Sequence, residues 1–488
     1  MEAIHKLRVE SPYEILNVED IKIEWKPNEH GNLNLKCLID DKNNFNYSIK
    51  ASTEDKICIY EEIENGEKSI IFNGLIQNVR TTNINGIYYL EIDGISSSFN
   101  LDIEEKSRSF QDIEMTYDEL IEEIFKDYKG FGYTQRMDKP QKIGRPLFQY
   151  KETDFNFLKR LASQLGIDII SDIINFNDMF YFGRPQNEEY VLEEEINYRV
   201  YKNLKKYYKA KPERGIDFDD TDYFYYEVEK REKMDIGDQV YFKQKDLYIN
   251  QYSAKLYYGD LIYTYRLCRE NGIWQGKIDN EKLKGVSLEG KVLEVKEQLV
   301  KLHLDIDKEQ NQAKAFWFTF APPTGNVMYS MPIVGTNALL YFPNESKINP
   351  IVIGCVRKNG GTYEKFSDVN NRYYTTEHKN QLAMVPQSIS FTCSGNPGLN
   401  VTLDDEEGVT LKSDKNITMT APNEVIMKTE TKVTIKAVSK LEVQRENKQA
   451  GISLENKTSC FGDTVHENGS STELSASFIQ APGMGGDN

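Results

Sequence analysis

Cysteine and histidine are scarce in this 488-residue chain, and neither is grouped. The six cysteines (Cys37, Cys58, Cys268, Cys355, Cys393, Cys460) are scattered, with no CxxC pair. That argues against a disulfide framework or a thiolate metal site and for isolated thiols. The histidines (His5, His30, His303, His378, His466) form no HExxH or HxH pattern, so the usual imidazole zinc sites are not expected. No stretch approaches the ~18 apolar residues of a bilayer span. The start, Met1-Glu-Ala-Ile-His-Lys6, lacks the charged-then-apolar plan of a secretory signal, so synthesis in the cytoplasm without a signal peptide is expected. Positive charge is also short. A formal charge of −17 argues against a nucleic-acid partner, which demands clustered Lys and Arg, and fits an acidic soluble surface.

What is present is β-forming. Hydrophobic residues make up 39% and aromatics 11%, with 30 Tyr and 23 Phe, a composition that builds folded cores rich in strands. The length allows three or four domains. Up to about residue 115 the chain alternates in the strand manner: Ile21-Lys-Ile-Glu-Trp25, Ile70-Ile-Phe-Asn-Gly-Leu75, Tyr88-Tyr-Leu-Glu-Ile92. Asn83, Asn85 and Gly86 mark a hairpin. Two helices then interrupt. One, expected over Tyr117 to Tyr128, is capped by Thr116 and places Leu120, Ile121, Ile124 and Phe125 on one face. The other starts near Thr153-Asp154, turns Phe157, Leu158, Leu161 and Leu165 inward, and stops at Gly166. Strands resume at Ile167, Met179, Tyr223, Gln239 and Leu261. From about Val286, five short apolar runs within ~70 residues suit a small closed barrel of the oligonucleotide/oligosaccharide-binding (OB) type. Asn359 to Lys379 reads as a polar linker, and the tail from Ala481 is Gly-rich.

Six eight-residue units then run without a gap from Val401 to Lys448. They open at Val401, Val409, Ile417, Val425, Val433 and Leu441, and a second aliphatic follows two places on at Leu403, Leu411, Met419, Met427, Ile435 and Val443. Each unit is a short strand plus a polar corner. Eight extended residues cover roughly 26 Å, at ~3.3 Å each, which is one side of a prism and not a closed coil. The apolar stripe needs two further sides. Three chains would supply them in a six-layer intertwined prism, whereas six octads of one chain would close only two coils. These twelve residues are therefore the expected trimer core. The register slips by three residues after Lys448, where Ile452-Ser-Leu454 replaces an opening at 449.

Catalytic constellations are weak. There is no GxSxG elbow, and Gly130-Phe-Gly132 lacks the third glycine of a nucleotide loop. Asp217, Asp219, Asp220 and Asp222 fail as a calcium loop, because the sixth position is Asp222 and the twelfth Val228. They read as a solvated acidic loop, and Glu193 to Glu195 as surface. No catalytic, cofactor-binding or metal residues are assigned, and no cofactor is expected.

Four stretches carry a family resemblance. Tyr150-Lys-Glu-Thr-Asp-Phe-Asn-Phe-Leu-Lys-Arg-Leu-Ala-Ser-Gln-Leu-Gly-Ile167 resembles the "ETD-x-DF-x-RL-x-EE-x-GI" helix of the valine-glycine-repeat (VgrG) spikes of type VI secretion and of related contractile-tail hub proteins. Ser107 to Ile121 is similar to the segment preceding that helix. Pro332-Ile-Val-Gly335, Leu339-Leu-Tyr-Phe342 and Pro350-Ile-Val-Ile-Gly354 resemble the spike's OB barrel, and the octads resemble its terminal β-prism. The order is the family's own over about residues 1 to 450. Departures are Gln164-Leu165 in place of paired acids, and Val-Thr-Leu-like octads in place of strict Val-Gly. Only ~35 residues separate Gly354 from Ile389, too few for the lysozyme domain that some phage spikes insert there.

The resemblance implies a mainly β fold: a hub of two β-barrel subdomains plus helices over 1–285, an OB domain over 286–358, a linker over 359–388, a β-prism needle over 389–455, and a tip segment with flexible tail over 456–488. It implies a non-enzymatic homotrimeric central spike of a contractile injection apparatus. Its expected partners are the inner tube and baseplate proteins at the hub end, a proline-alanine-alanine-arginine (PAAR) tip protein or effector at the other, and the target cell envelope. A trimeric tailspike that binds or cleaves polysaccharide is the alternative; it would need a groove of paired carboxylates and aromatics.

Overall fold

Alternating burial sets the architecture. Asn17–Trp25 buries Ile21, Ile23 and Trp25 and turns the residues between them outward, the two-residue period of a strand with one face on a core. Its antiparallel neighbour Asn32–Leu38 buries Leu33, Leu35 and Cys37 in the same way. The structure, a computed structural model, describes residues 6–43, 45–62, 68–137, 139–185, 188–214, 219–273, 276–321, 330–343, 349–356, 368, 370–445 and 450–462. His5, His466, Asp217 and the tail from Ala481 fall outside them. The chain is mainly β, as expected, and divides into two units, Met1–Gly360 and Gly361–Asn488.

The first unit is built on one continuous sheet. From one edge its strands are Lys6–Glu10, Lys56–Glu62, Lys68–Ile84, Ile87–Ile95, Asn32–Leu38, Asn17–Trp25, Lys245–Tyr257, Asp260–Cys268, Phe224–Lys230 and Tyr198–Lys202, with Gln239–Phe242 and Glu189–Val191 branching from Lys245–Tyr257. The early and late halves of this sheet are joined where Tyr252 to Lys255 pair with Trp25 to Lys22. One hydrophobic core runs beneath that seam, and Trp25 meets Tyr252 edge-on at 5.5 Å. The expected hairpin turns at Asn85 and Gly86, both with positive φ, and the Gly86 N–H donates to Asn83 Oδ1 at 3.0 Å.

Among the described residues, four α-helices accompany the sheet: α1 (Asn46–Lys50), α2 (Tyr117–Phe125), α3 (Asp154–Leu165) and α4 (Leu204–Arg214). Helix α2 starts at a reciprocal capping box between Thr116 and Glu119 and ends three residues before the expected Tyr128. Helix α3 is capped by Thr153 and stops at Gly166, whose φ of 72° suits glycine. Their apolar faces share a second core with Leu101, Phe110, Phe180 and Phe182. Sequence reading missed α4. Its segment, Leu-Lys-Lys-Tyr-Tyr-Lys-Ala-Lys-Pro-Glu-Arg, has no apolar stripe, and Ala210 is its buried hydrophobic residue. The one local signal was Asn203, whose Oδ1 accepts the Lys206 N–H at 3.0 Å as a cap does.

The five runs after Val286 form a closed barrel from Ser287–Lys296, Leu299–Leu304, Phe318–Ala321, Asn337–Tyr341 and Ile351–Val356. Its interior holds Leu288, Val292, Val300, Leu302, Phe318, Leu340 and Val352. Phe148, from the strand leading into α3, plugs the same core and meets Phe342 edge-on at 4.8 Å. Half-buried Asp307 accepts both the N–H and the hydroxyl of Ser109 at 2.6 Å, tying the barrel to the strand Glu105–Phe110. His303 lies half-buried on the barrel wall and donates from Nε2 to the Asp307 carbonyl at 3.1 Å.

The second unit is an antiparallel meander. Its strands are Arg372–Thr375, Gln381–Val385, Ser388–Thr392, Asn400–Asp404 and Gly408–Lys412, followed by a three-stranded sheet of Leu441–Gln444, Gly451–Leu454 and Thr458–Phe461. The first two lie inside the stretch read as a linker, so strand structure begins at Arg372 and not near Ile389. Residues 413–440, with the third to fifth octads, carry no ladder in the single chain.

Candidate functional site: an uncovered apolar face

In antiparallel strands, residues directly opposite one another share a face. The register sets Tyr374 opposite Leu382, then Phe391, Val401 and Leu411 in a row across the five strands. A second row runs Met384, Ile389, Leu403, Val409. The other face carries Ser390, Thr402 and Thr410. The first two octads are thus successive strands, each presenting its two aliphatics on one side. The corner after Leu403 is closed by Asp404, whose Oδ1 accepts the N–H groups of Glu406 and Glu407 at 3.0 and 3.1 Å, and by Gly408 at positive φ.

Within its own unit this apolar face is uncovered. Leu403 is 44% exposed, Val409 69% and Leu411 52%. Ile417, Met419, Val425, Met427, Val433 and Ile435 are likewise exposed. Contiguous exposed apolar surface on this scale marks an interaction site. Around the register slip a separate three-stranded sheet repeats the pattern. Leu441 lies opposite Leu454, and Val443 opposite Ile452, which in turn faces Cys460. Arg445 N donates to Ala450 O at 2.8 Å, one pair beyond Gln444 and Gly451.

The motif around α3 has a positioning role. Asp154 is fully buried and accepts from Tyr128 Oη at 2.6 Å, Gln149 Nε2 at 2.8 Å, Lys106 Nζ at 2.8 Å and the Arg108 guanidinium. Glu152 holds Arg160 at 2.5 Å, and Arg160 also donates to the Phe148 carbonyl at 2.6 Å. These bonds fix the strand that supplies Phe148 to the barrel against the helix that follows it. Burial opposes charge on Lys106, but its hydrogen bonds to Asp127 and Asp154 outweigh that and raise its pKa.

One constellation was missed from sequence. His30 Nδ1 lies 2.7 Å from Ser98 Oγ, and its Nε2 lies 3.3 Å from Asp102 Oδ2. Ser98 is fully buried, its hydroxyl donates to Ser171 Oγ, and the imidazole packs on Phe155 at 4.0 Å. A nucleophile sealed in this way meets no substrate, so the trio braces the hub. Burial lowers the His30 pKa, Asp102 pulls it back upward, and Lys159 adds to the lowering. The native ring is therefore neutral, while the unfolded chain takes up a proton near pH 6.5. Stability contributed here is complete above that value and is lost as pH falls through it toward the native pKa. Denaturant unfolding of the parent should weaken more between pH 7.5 and 5.5 than that of His30→Gln; equal slopes would remove His30 from the account.

The acidic loop is also structural. Asp219 and Asp222 form a reciprocal capping box on a short turn, and Asp222 is buried.

The first unit thus combines a continuous sheet, a helix pair and a five-stranded barrel, and the second carries an antiparallel repeat sheet. Residues 35–170 match the sequence model of the phage tail baseplate hub (GPD) family. Among solved structures, the fold is similar to the E. coli c3393 protein, described as a component of the type VI secretion system with structural similarity to the T4 tail proteins gp27 and gp5. The two share 12% identity at a TM-score of 0.51, over 72% of this chain and all of that one. It is also similar to the Francisella PdpA–VgrG complex in its half-lidded form, with 10% identity and a TM-score of 0.51 over 84% of this chain and 88% of that one. No curated protein matches the sequence. Residues 35–170 thus resemble a baseplate hub domain in sequence, and most of the chain shares the fold of these two solved proteins.

Proposed function

We propose that this chain is the homotrimeric central spike of a contractile injection apparatus, and that its role is mechanical and not enzymatic. The observation that carries the reading is the uncovered apolar face of the repeat sheet. Two aliphatics per octad, six octads and three chains give on the order of 36 side chains to bury, at ~1.5–3 kcal/mol gross each. Ordering entropy offsets most of that gain. A prism whose ladders join different chains has no simple route for peeling one subunit away, and this confers kinetic resistance to unfolding under load. The hub would cap the inner tube and meet the baseplate, and the prism would enter the target envelope. Six octads at ~4.8 Å per layer make only about 30 Å of needle. So short a needle favours a separate PAAR-type tip protein or effector at the C-terminal end.

Light scattering on the purified full chain tests the assembly. A mass near three times 56.5 kDa is expected, and 56.5 kDa at every concentration would overturn the trimer.

A further inference from the structure

A polar cavity of about 180 Å³ lies in the first unit where the start of α4 faces the long sheet. Lys206, in the first turn of α4, and Arg266, on Asp260–Cys268, both line it, together with Gln251 on the neighbouring strand. The charges here do not balance. Asp168 is the buried carboxylate at the site, and it is already held by Arg184 Nη2 at 2.7 Å and by Asn28 Nδ2 at 2.7 Å. Glu29 and Glu24 belong to Lys26. Glu227 sits opposite Arg266 in the register, but its carboxylate is 3.5 Å from Arg199. Among the described residues, neither Lys206 nor Arg266 has a carboxylate within ion-pair distance.

Their remaining contacts are neutral. Lys206 Nζ donates to the Gly272 carbonyl at 3.0 Å and lies 6.0 Å from the Tyr223 ring centre. Arg266 donates from Nη1 to Gln251 Oε1 at 3.0 Å, stacks over Tyr201 at 4.9 Å and Tyr225 at 5.9 Å, and has a buried Nε without an acceptor. Gln251 spends its oxygen on Arg266, which leaves its amide N–H groups as donors. Two cations lacking counter-charge in a partly desolvated cavity are costly, and an anion relieves that cost. Burial accordingly lowers the Lys206 pKa, with Asp168 opposing and Arg184 and Arg266 reinforcing.

We propose that this cavity binds a single small oxyanion of the phosphate or sulfate type, bridging Lys206 of α4 and Arg266 of the sheet. The size selects the class. Given ~30 Å³ per water, there is room for one tetrahedral anion with a little water. Donors arriving from a helix, a strand face and a side-chain amide suit a tetrahedral acceptor better than a planar carboxylate. The consequence is mechanical: the anion pins α4, which buries little apolar surface of its own, onto the hub.

Melting of the full chain in increasing inorganic phosphate, against chloride at matched ionic strength, tests the assignment. A saturable rise in melting temperature is expected in phosphate and not in chloride, because a ligand of the native state stabilises by mass action. Lys206→Met should abolish the rise yet melt in chloride at or above the parent, since a buried cation without counter-charge is gone. Arg266→Gln should weaken phosphate binding at least tenfold by calorimetry, and Lys291→Met, on the exposed face of the barrel, should leave it unchanged. Equal responses to phosphate and chloride, or a response that survives Lys206→Met, would overturn the site.

Discussion

Leu403→Lys with Leu411→Lys is expected to convert the protein from a species of about three times 56.5 kDa to one of 56.5 kDa, with the hub still folded. Both positions are exposed in the single chain, at 44% and 52%, so lysine there costs the isolated subunit little, typically within about 0.5 kcal/mol. In a threefold prism the same substitutions would set lysines from all three chains against one another in a dry core. Each unpaired buried charge costs several kcal/mol. Thr402→Lys with Thr410→Lys, on the opposite face of the same strands, is the control and should leave the mass unchanged. If the leucine pair tolerates lysine and the threonine pair does not, the sheet assembles through its other face and the proposed core is wrong.

The second large effect lies in the hub. Asp154→Ala should destabilise the first unit by about 3 kcal/mol, toward the lower end of the range for breaking a buried ion pair. Asp154 is fully buried, and its loss leaves Lys106 and Arg108, each with 20% of its side chain exposed, without their main carboxylate. Asp127 remains 2.7 Å from Lys106 and moderates the loss, which is why the larger figures for buried pairs do not apply. Tyr128 and Gln149 also lose an acceptor. Urea unfolding followed by the fluorescence of the three tryptophans, of which Trp25 is buried in the first core, measures the change. A loss under about 1 kcal/mol would mean that Asp127 replaces Asp154. Arg108→Gln, which keeps the carboxylate and the Lys106 pair, should cost less.

Much of this architecture was legible because it depends on short-range periodicity. Ile21, Ile23 and Trp25 announce a one-sided strand, Thr116 with Glu119 announces a helix start, and Gly166 announces a stop. Each signal is complete within a few residues. Helix α4 was illegible because its stability does not come from its own stripe: Lys206 and Tyr207 pack against groups more than ten residues away in sequence. The strands at Arg372–Thr375 and Gln381–Val385 were hidden by interruption, since Tyr374, Leu382 and Met384 alternate only once the corner between them is taken out. The twelve octad residues could be listed from period alone, and the antiparallel register then placed those of the first two octads on one face. The buried groups around His30, Asp154 and Asp168 join residues up to about 140 positions apart, a distance no single-sequence pattern spans.

The corner between Arg445 and Ala450 has a consequence for how such a shaft can vary. Ile452 pairs with Val443 and Leu454 with Leu441 despite the three-residue slip in sequence, so the apolar residues stay opposite one another. Pairing across the ladder keeps these rows aligned where spacing along the chain does not. Corners can therefore lengthen, acquire charge or carry an attached peptide while the inward rows stay aligned. The apolar rows and the corners between strands are thus free to diversify independently.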